Sequence, residues 1–174
     1  NILPIILPNN INYLKKIFDL QTIDGILLTG GNDLLNYGGQ ALERDKVDKY
    51  LIKQAIKMNI PLLGVCRGMQ SIQDYFKIKL EKVKNNAGVR NKLIVKPNSR
   101  LYRFLKKYNN VNSYFKYASF STMDQITCSS ETEKGIVMSI EHKAHKIYGI
   151  MWHPEREKLK SKVDKSLIKY IFNV

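Results

Sequence analysis

Residues 60–70 read Ile-Pro-Leu-Leu-Gly-Val-Cys-Arg-Gly-Met-Gln, a short apolar run that meets a G-x-C-x-G pentapeptide at Gly64-Val65-Cys66-Arg67-Gly68. Pro61 to Val65 has the length and composition of a buried strand, and Gly68 to Phe76 returns to helical character. A cysteine on the turn between such a strand and helix is the thiol version of a nucleophile elbow. The reason is steric: the tight turn projects the side chain out of the sheet, and glycines on either side let the backbone crowd around it without a Cβ. The following helix aims its N-terminus at the sulfur, which is expected to favour thiolate and lower the Cys66 pKa. A buried cysteine between turn glycines would carry the same five letters; the strand before and the helix after favour the elbow.

Upstream, Ile26-Leu27-Leu28 is a compact apolar run that opens into Thr29-Gly30-Gly31-Asn32-Asp33. That is the pattern of a buried strand ending in a glycine loop, and loops at the carboxyl ends of parallel strands are where such sheets bind ligands. Between the two strands, Asp45 to Met58 puts Val47, Leu51, Ile52, Ala55 and Ile56 on one face and lysines on the other, with Asp45 in the first turn of a helix. Ile2 to Leu7, ended by Pro8-Asn9-Asn10, reads as a further strand, and Ile11, Leu14, Ile17 and Phe18 recur at helical spacing. Alternation of strand and helix predicts an α/β fold, a parallel sheet with helices on both faces.

Downstream, Lys77 to Val95 changes to short strands and hairpins around Asn85-Asn86-Ala87-Gly88, and Ser99 to Tyr108 reads as a short basic helix. Gly135 to Ile140 and Lys146 to Trp152 look like paired strands. Lys162 to Phe172 is an amphipathic terminal helix with Val163, Leu167, Ile168, Ile171 and Phe172 on its apolar side. No internal repeat or low-complexity linker divides the chain, so residues 1–174 read as one domain. The chain opens at Asn1 inside an apolar run without an initiator Met, and an N-terminal strand and helix are expected to be missing from it.

With 174 residues and 44% hydrophobic content the chain can bury a real core. Twenty-nine Lys and Arg against 15 Asp and Glu give a net charge of +14. The lysines are spread through nearly every segment and no basic-aromatic motif of a nucleic-acid reader occurs, so nucleic-acid binding is not expected. A positive field does favour a small anionic substrate. Two cysteines, Cys66 and Cys128, make no disulfide framework, which fits a reducing, cytoplasmic setting. No leader pattern is present and no apolar run reaches the ~20 residues a membrane helix needs.

A thiol nucleophile needs a proton acceptor and a group to orient it. Of three histidines, His142 and His145 sit in a polar turn between strands and read as solvated. His153 ends the apolar run Tyr148 to Trp152 and is followed by Pro154 and Glu155. Residues two apart on an extended backbone share a side, so Glu155 can orient the His153 ring while its other nitrogen faces Cys66. Acyl transfer also needs donors to an oxyanion. The Arg67 N–H is one, and the Gly30-Gly31 loop is the natural source of the second.

LLTGGND at 27–33, IPLLGVCRGMQ at 60–70 and GIMWHPE at 149–155, in this order and at these separations, resemble the class I glutamine amidotransferase superfamily. Glu43-Arg44-Asp45 and Val111-Asn112-Ser113-Tyr114 are similar to its γ-glutamyl hydrolase-like branch, peptidase C26. The resemblance covers nearly the whole chain. It implies a flavodoxin-like three-layer αβα fold with a mostly parallel sheet, and a cysteine hydrolase of γ-glutamyl amides that needs neither metal nor organic cofactor. It also implies roles: Cys66 as nucleophile, His153 as general base and acid, Glu155 as orienter, and the Gly31 and Arg67 N–H groups as oxyanion hole. Gly30, Gln70, Asn112, Ser113 and Tyr114 would bind the substrate. Two positions depart from the branch, in which many members have His where this chain has Asn91 and Phe115, so the pocket rim and the leaving-group preference are expected to differ. The leaving side is an amine such as a polyamine or γ-aminobutyrate, ammonia as in a glutaminase subunit, or a nucleotide amidate. The last is implied by a particular likeness to the γ-glutamyl-CDP-amidate hydrolases of capsule synthesis, and Arg67, Arg90, Lys92 and Lys116 are the cations expected to attract it. A catalytically silent binding relative is the alternative of a different class. The expected partner is a small γ-glutamyl molecule, with a homodimer left open.

Overall fold

The computed structural model describes residues 2–20, 22–157 and 161–174. Asn10 opens α1 (Ile11–Leu20) by accepting the Asn12 N–H on its side-chain oxygen at 3.0 Å, and Leu14 carries the helix's buried face. Strand β1 (Ile26–Leu28) follows, then a single 3₁₀ turn at Leu35–Tyr37 and α2 (Leu42–Met58). The helix starts three residues earlier than its apolar period suggests, and Asn59 ends it in the left-handed conformation. Strand β2 (Leu62–Val65) runs into α3 (Arg67–Tyr75) through Cys66 alone.

The second half consists mainly of strands. They are β3 (Glu81–Lys82), β4 (Ala87–Asn91), β5 (Ile94–Val95), β6 (Val111–Tyr114), β7 (Tyr117–Ala118), β8 (Ile126–Glu131), β9 (Val137–His142) and β10 (Ile147–Ile150). One short helix, α4 (Tyr102–Leu105), interrupts them, and a 3₁₀ turn at Pro154–Arg156 precedes α5 (Lys162–Phe172). Ser161 caps α5 by accepting the Val163 and Asp164 N–H groups.

The main sheet has the order β1-β2-β10-β9-β8-β5. Its first half is parallel, with Leu28 opposite Gly64 and Val65 opposite Ile150. Its second half is antiparallel, because short turns join β8 to β9 and β9 to β10, and only antiparallel neighbours can be joined that way. The sheet is thus mixed, with its parallel character confined to the strands that carry helical crossovers. α2 and α3 cover one face: Gly68 of α3 lies against Leu28, and Met69 and Ile72 lie against Gly149 and Gly64. α5 covers the other, where Phe172 packs over Gly25, and α4 joins it through the Phe104 and Tyr170 rings, 4.8 Å between centroids. The core between these layers runs from Leu14 and Ile52 to Met138, Ile150 and Ile171.

One expected strand does not form. Ile2 to Leu7 forms no regular element and pairs with no strand among the described residues, and Ile2, Leu3, Ile5 and Ile6 are exposed. An Ile-rich run becomes a strand only where a neighbour accepts its hydrogen bonds, and β1 remains the sheet edge. Asn1 lies outside the described residues.

Candidate active site

Cys66 occupies the bend at φ 49°, ψ −103°, a conformation that costs a non-glycine residue energy and persists because its surroundings fix it. Its N–H donates to the Ile150 carbonyl of β10 at 2.7 Å, and its carbonyl accepts the Gln70 N–H at 3.0 Å. The glycines of the elbow are needed for close approach. A Cβ on Gly64 would stand 2.5 Å from the Gly68 backbone, and one on Gly68 would collide with the Leu28 carbonyl. Strand, elbow and helix therefore pack backbone to backbone. The sulfur does not become the low-pKa thiol expected from a helix N-terminus alone. Burial pushes it up to about 11, outweighing the Arg67 N–H that favours thiolate. At rest Cys66 is a thiol.

His153 lies three residues beyond the end of β10, and the Cys66–Ile150 hydrogen bond sets that strand end beside the elbow. Its Nδ1 lies 2.6 Å from Glu155 Oε1, the pairing expected of a His-x-Glu strand end, which leaves Nε2 as the other ring nitrogen. The His153 side chain is 5% exposed while that of Glu155 is 59% exposed, so the carboxylate touches both the ring and solvent. Gly30 flanks the ring, and a Cβ there would stand 2.7 Å from His153 Cε1. Asn112 of β6 clamps the His153 backbone from both sides, its Oδ1 accepting the N–H and its Nδ2 donating to the carbonyl, each at 2.8 Å. Its Nδ2 also reaches Glu157 Oε1 at 2.8 Å. Behind the strand end, Trp152 Nε1 donates to the buried carboxylate of Asp164 at 3.2 Å.

The glycine loop after β1 is tied down by Arg44, which donates from Nη2 to the carbonyls of Thr29 and Gly30 at 2.7 and 2.9 Å. Partial burial and the neighbouring Arg67 lower the Arg44 pKa from its usual value. Gly31 lies under the Arg44 guanidinium and against the Arg67 stem. Arg67 itself is only 1% exposed and pairs with Asp45 and Asp48. Asp48 also accepts from Ser71 Oγ at 2.7 Å, and Asp45 from the Leu35 N–H at 2.8 Å. The expectation that the Arg67 side chain attracts an anion is overturned: its charge is buried and neutralised from α2. The signal for this was present in Asp48, which falls on the same helical face as Leu51 and Ile52.

The remaining expected residues divide. Gln70 is buried and donates from Nε2 to the Tyr117 carbonyl at 2.8 Å. Ser113 is fully buried, its Oγ accepting from Asn91 Nδ2 at 2.7 Å, while Tyr114 turns its exposed ring edge-on to His153 at 5.8 Å beneath the Arg156 guanidinium. Asn91 therefore braces Ser113. Phe115 is 3% exposed and belongs to the core, which removes it from the pocket rim where it was expected. Arg90 pairs with Glu157 at 3.1 Å. Glu157, unanticipated, thus links Arg90 to Asn112 and the His153 backbone. His142 is not solvated as expected: it is 5% exposed, lies on Phe76, and accepts the Ala144 and His145 N–H groups on Nδ1 at 3.0 Å each. Burial lowers its pKa. It closes the turn at the opposite end of β10 from His153. Cys128, on β8, is pushed up to about 11 by burial. Among the described residues, no cluster of three His, Cys, Asp or Glu could hold a metal ion, and no helix is long and apolar enough to cross a membrane.

The peptidase C26 family matches residues 1–155. A γ-glutamyl-CDP-amidate hydrolase of Campylobacter jejuni subsp. jejuni is 31% identical over 137 residues, which span 78% of this chain and 64% of that protein. A glutamine amidotransferase-like protein of Lactococcus lactis is 29% identical over 88% of this chain and 73% of its own length. Among solved structures, a GMP synthase-type protein of Thermoplasma acidophilum superposes with a TM-score of 0.75, covering 96% of this chain and 78% of that one at 21% identity, a likeness of fold. The chain belongs to the peptidase C26 family, within the class I glutamine amidotransferase-like superfamily.

Proposed function

We propose that this protein hydrolyses a γ-glutamyl amide through a γ-glutamyl thioester on Cys66. The observation that carries the reading is one juxtaposition. A strained elbow cysteine is hydrogen-bonded to the strand whose end presents a histidine 2.6 Å from a carboxylate. The thiol is protonated at rest, so its proton moves as it attacks: His153 Nε2 takes it while Sγ bonds to the γ-carbonyl carbon. Glu155 holds Nδ1–H and stabilises the imidazolium. The carbonyl oxygen, now negative, accepts from the N–H groups of Arg67 and Gly31. The C–N bond then breaks, His153 hands its proton to the departing nitrogen, and water, deprotonated by His153, attacks the thioester. The C–S bond breaks, His153 returns its proton to the Cys66 sulfur, and glutamate leaves. Asn112 and Glu157 keep the His153 backbone in place, and the family resemblance supports Gln70, Ser113 and Tyr114 as the residues that hold the glutamyl end.

For the leaving side we favour a nucleotide amidate of the γ-glutamyl-CDP type, supported by the 31% identity to the Campylobacter hydrolase. Glutamate release from a panel of L-glutamine, a γ-glutamyl amine and a γ-glutamyl nucleotide amidate tests both levels. Wild-type protein is expected to release glutamate, with the highest kcat/KM on the nucleotide amidate. Cys66→Ala is expected to lose release and Cys128→Ala to keep it. A Cys66→Ala protein with more than trace activity sinks the mechanism, and a higher kcat/KM on the amine moves the substrate to the γ-glutamyl-amine class.

A further inference from the structure

A cleft of about 450 Å³ opens beside the β4–β6 pair, within the size range of small-molecule sites. Its walls come from four separate parts of the chain: β3 and the turn after it, the end of β4, Phe120 just after β7, and the β8–β9 turn. They contribute five cations, Lys82, Lys84, Arg90, Lys92 and Lys134, against one carboxylate, Glu133. Among the described residues the four lysines make no ion pair, and only Arg90 is partly satisfied, through Glu157. Like charges drawn from distant segments repel one another unless an anion joins them, and a concave wall focuses their field. The cleft also has an apolar lining in Ile136 and Phe120, and the Phe120 side chain is 48% exposed. A cationic floor with an exposed aromatic ring suits a phosphate chain joined to a flat base.

The cleft is connected to the elbow site. Arg90 bonds Glu157, which bonds Asn112, which clamps His153, and Asn91 on the cleft wall bonds Ser113. We infer that this cleft binds a nucleoside diphosphate and, resting on the hydrolase reading above, receives the leaving side of the substrate. Lys84, Lys92 and Lys134 take the phosphates and Phe120 the base. Of the four cations expected from the sequence, Arg90 and Lys92 line the cleft and the other two do not. Arg67 is sealed inside, and Lys116 lies outside the cleft wall.

Calorimetric titration of the wild-type protein with CDP, inorganic pyrophosphate and cytidine, at low and high salt, tests the assignment without requiring turnover. CDP is expected to bind more tightly than pyrophosphate, cytidine weakly, and CDP affinity to fall severalfold as salt rises. A Lys84→Ala/Lys92→Ala/Lys134→Ala variant, whose three side chains are exposed, is expected to keep the wild-type melting temperature and bind CDP at least tenfold more weakly. CDP is further expected to compete with a γ-glutamyl nucleotide amidate in glutamate release. CDP binding that is absent, or equal in wild type and variant, overturns the cleft assignment and leaves the hydrolase reading intact. Cleft-dependent CDP binding with no glutamate release from any γ-glutamyl amide overturns the hydrolase reading and leaves the nucleotide site standing.

Discussion

At Cys66 two effects oppose each other. The Arg67 N–H at the start of α3 favours thiolate, while burial disfavours it, and burial wins, holding the thiol near pKa 11. Sequence spacing alone led to the opposite expectation, because an elbow motif shows the helix dipole but not how deeply the sulfur is sealed. Alkylation of Cys66 by iodoacetamide, followed on a Cys128→Ala background, is therefore expected to be slow at pH 7 and to rise about tenfold per pH unit towards pH 11. A plateau by pH 8 would contradict this. The same sign applies to folding: a raised thiol pKa contributes stability below the unfolded value near 9 that is lost as pH climbs through 11. At the neighbouring strand end, the proposed mechanism has His153 carry the proton and Glu155 orient it from a half-solvated position. His153→Ala is expected to lower kcat about a thousandfold or more, and Glu155→Gln by clearly less. Steady-state kinetics on the best γ-glutamyl amide checks the order, and equal losses would mean the pair is misassigned. Asn112 shows what residue types alone could not reveal. The motif implied contact with substrate, whereas its amide is spent on the His153 backbone.

Among the elements, the strand, elbow and helix spanning Leu62 to Tyr75 were legible because every signal agreed: an apolar run, two glycines at fixed spacing and a helical period after them. α2 and α5 were legible from their period for the same reason. β8 was not, since ITCSSE buries Ser129 and Ser130 and satisfies Ser130 across the sheet on Ser139 at 2.6 Å, so its inward face carries no apolar alternation. Ile2 to Leu7 misled in the other direction, apolar enough for a strand but without a partner among the described residues. The tight packing of the elbow gives a direct test at Gly68. Helix propensity would favour alanine by about 1 kcal/mol, but a Cβ there meets the Leu28 backbone, and forcing it in costs about 3 kcal/mol or more. Gly68→Ala is expected to lower the urea midpoint accordingly, and an unchanged or raised midpoint would show that β1 and α3 can separate.

Across the whole molecule, the net charge of +14 has no single destination. Part is consumed internally, as where Asp45 and Asp48 neutralise Arg67 and Glu157 meets Arg90, and part lines the cleft beside β4. Composition suggested an anionic ligand without saying where it sits, since the lysines of the cleft come together only through the pairing of distant segments. On the proposed reading the γ-glutamyl end lies at the strand ends of β2 and β10 and the anion on a separate wall, so that one substrate is read at both ends. The hydrolase reading rests on Cys66 forming an acyl bond. Acid-quenched turnover of a γ-glutamyl amide, with mass spectrometry of the proteolysed protein, tests that most directly. The expected result is a hydroxylamine-labile γ-glutamyl adduct on the peptide containing Cys66. Glutamate release with no adduct there, or with one on Cys128 instead, would contradict it.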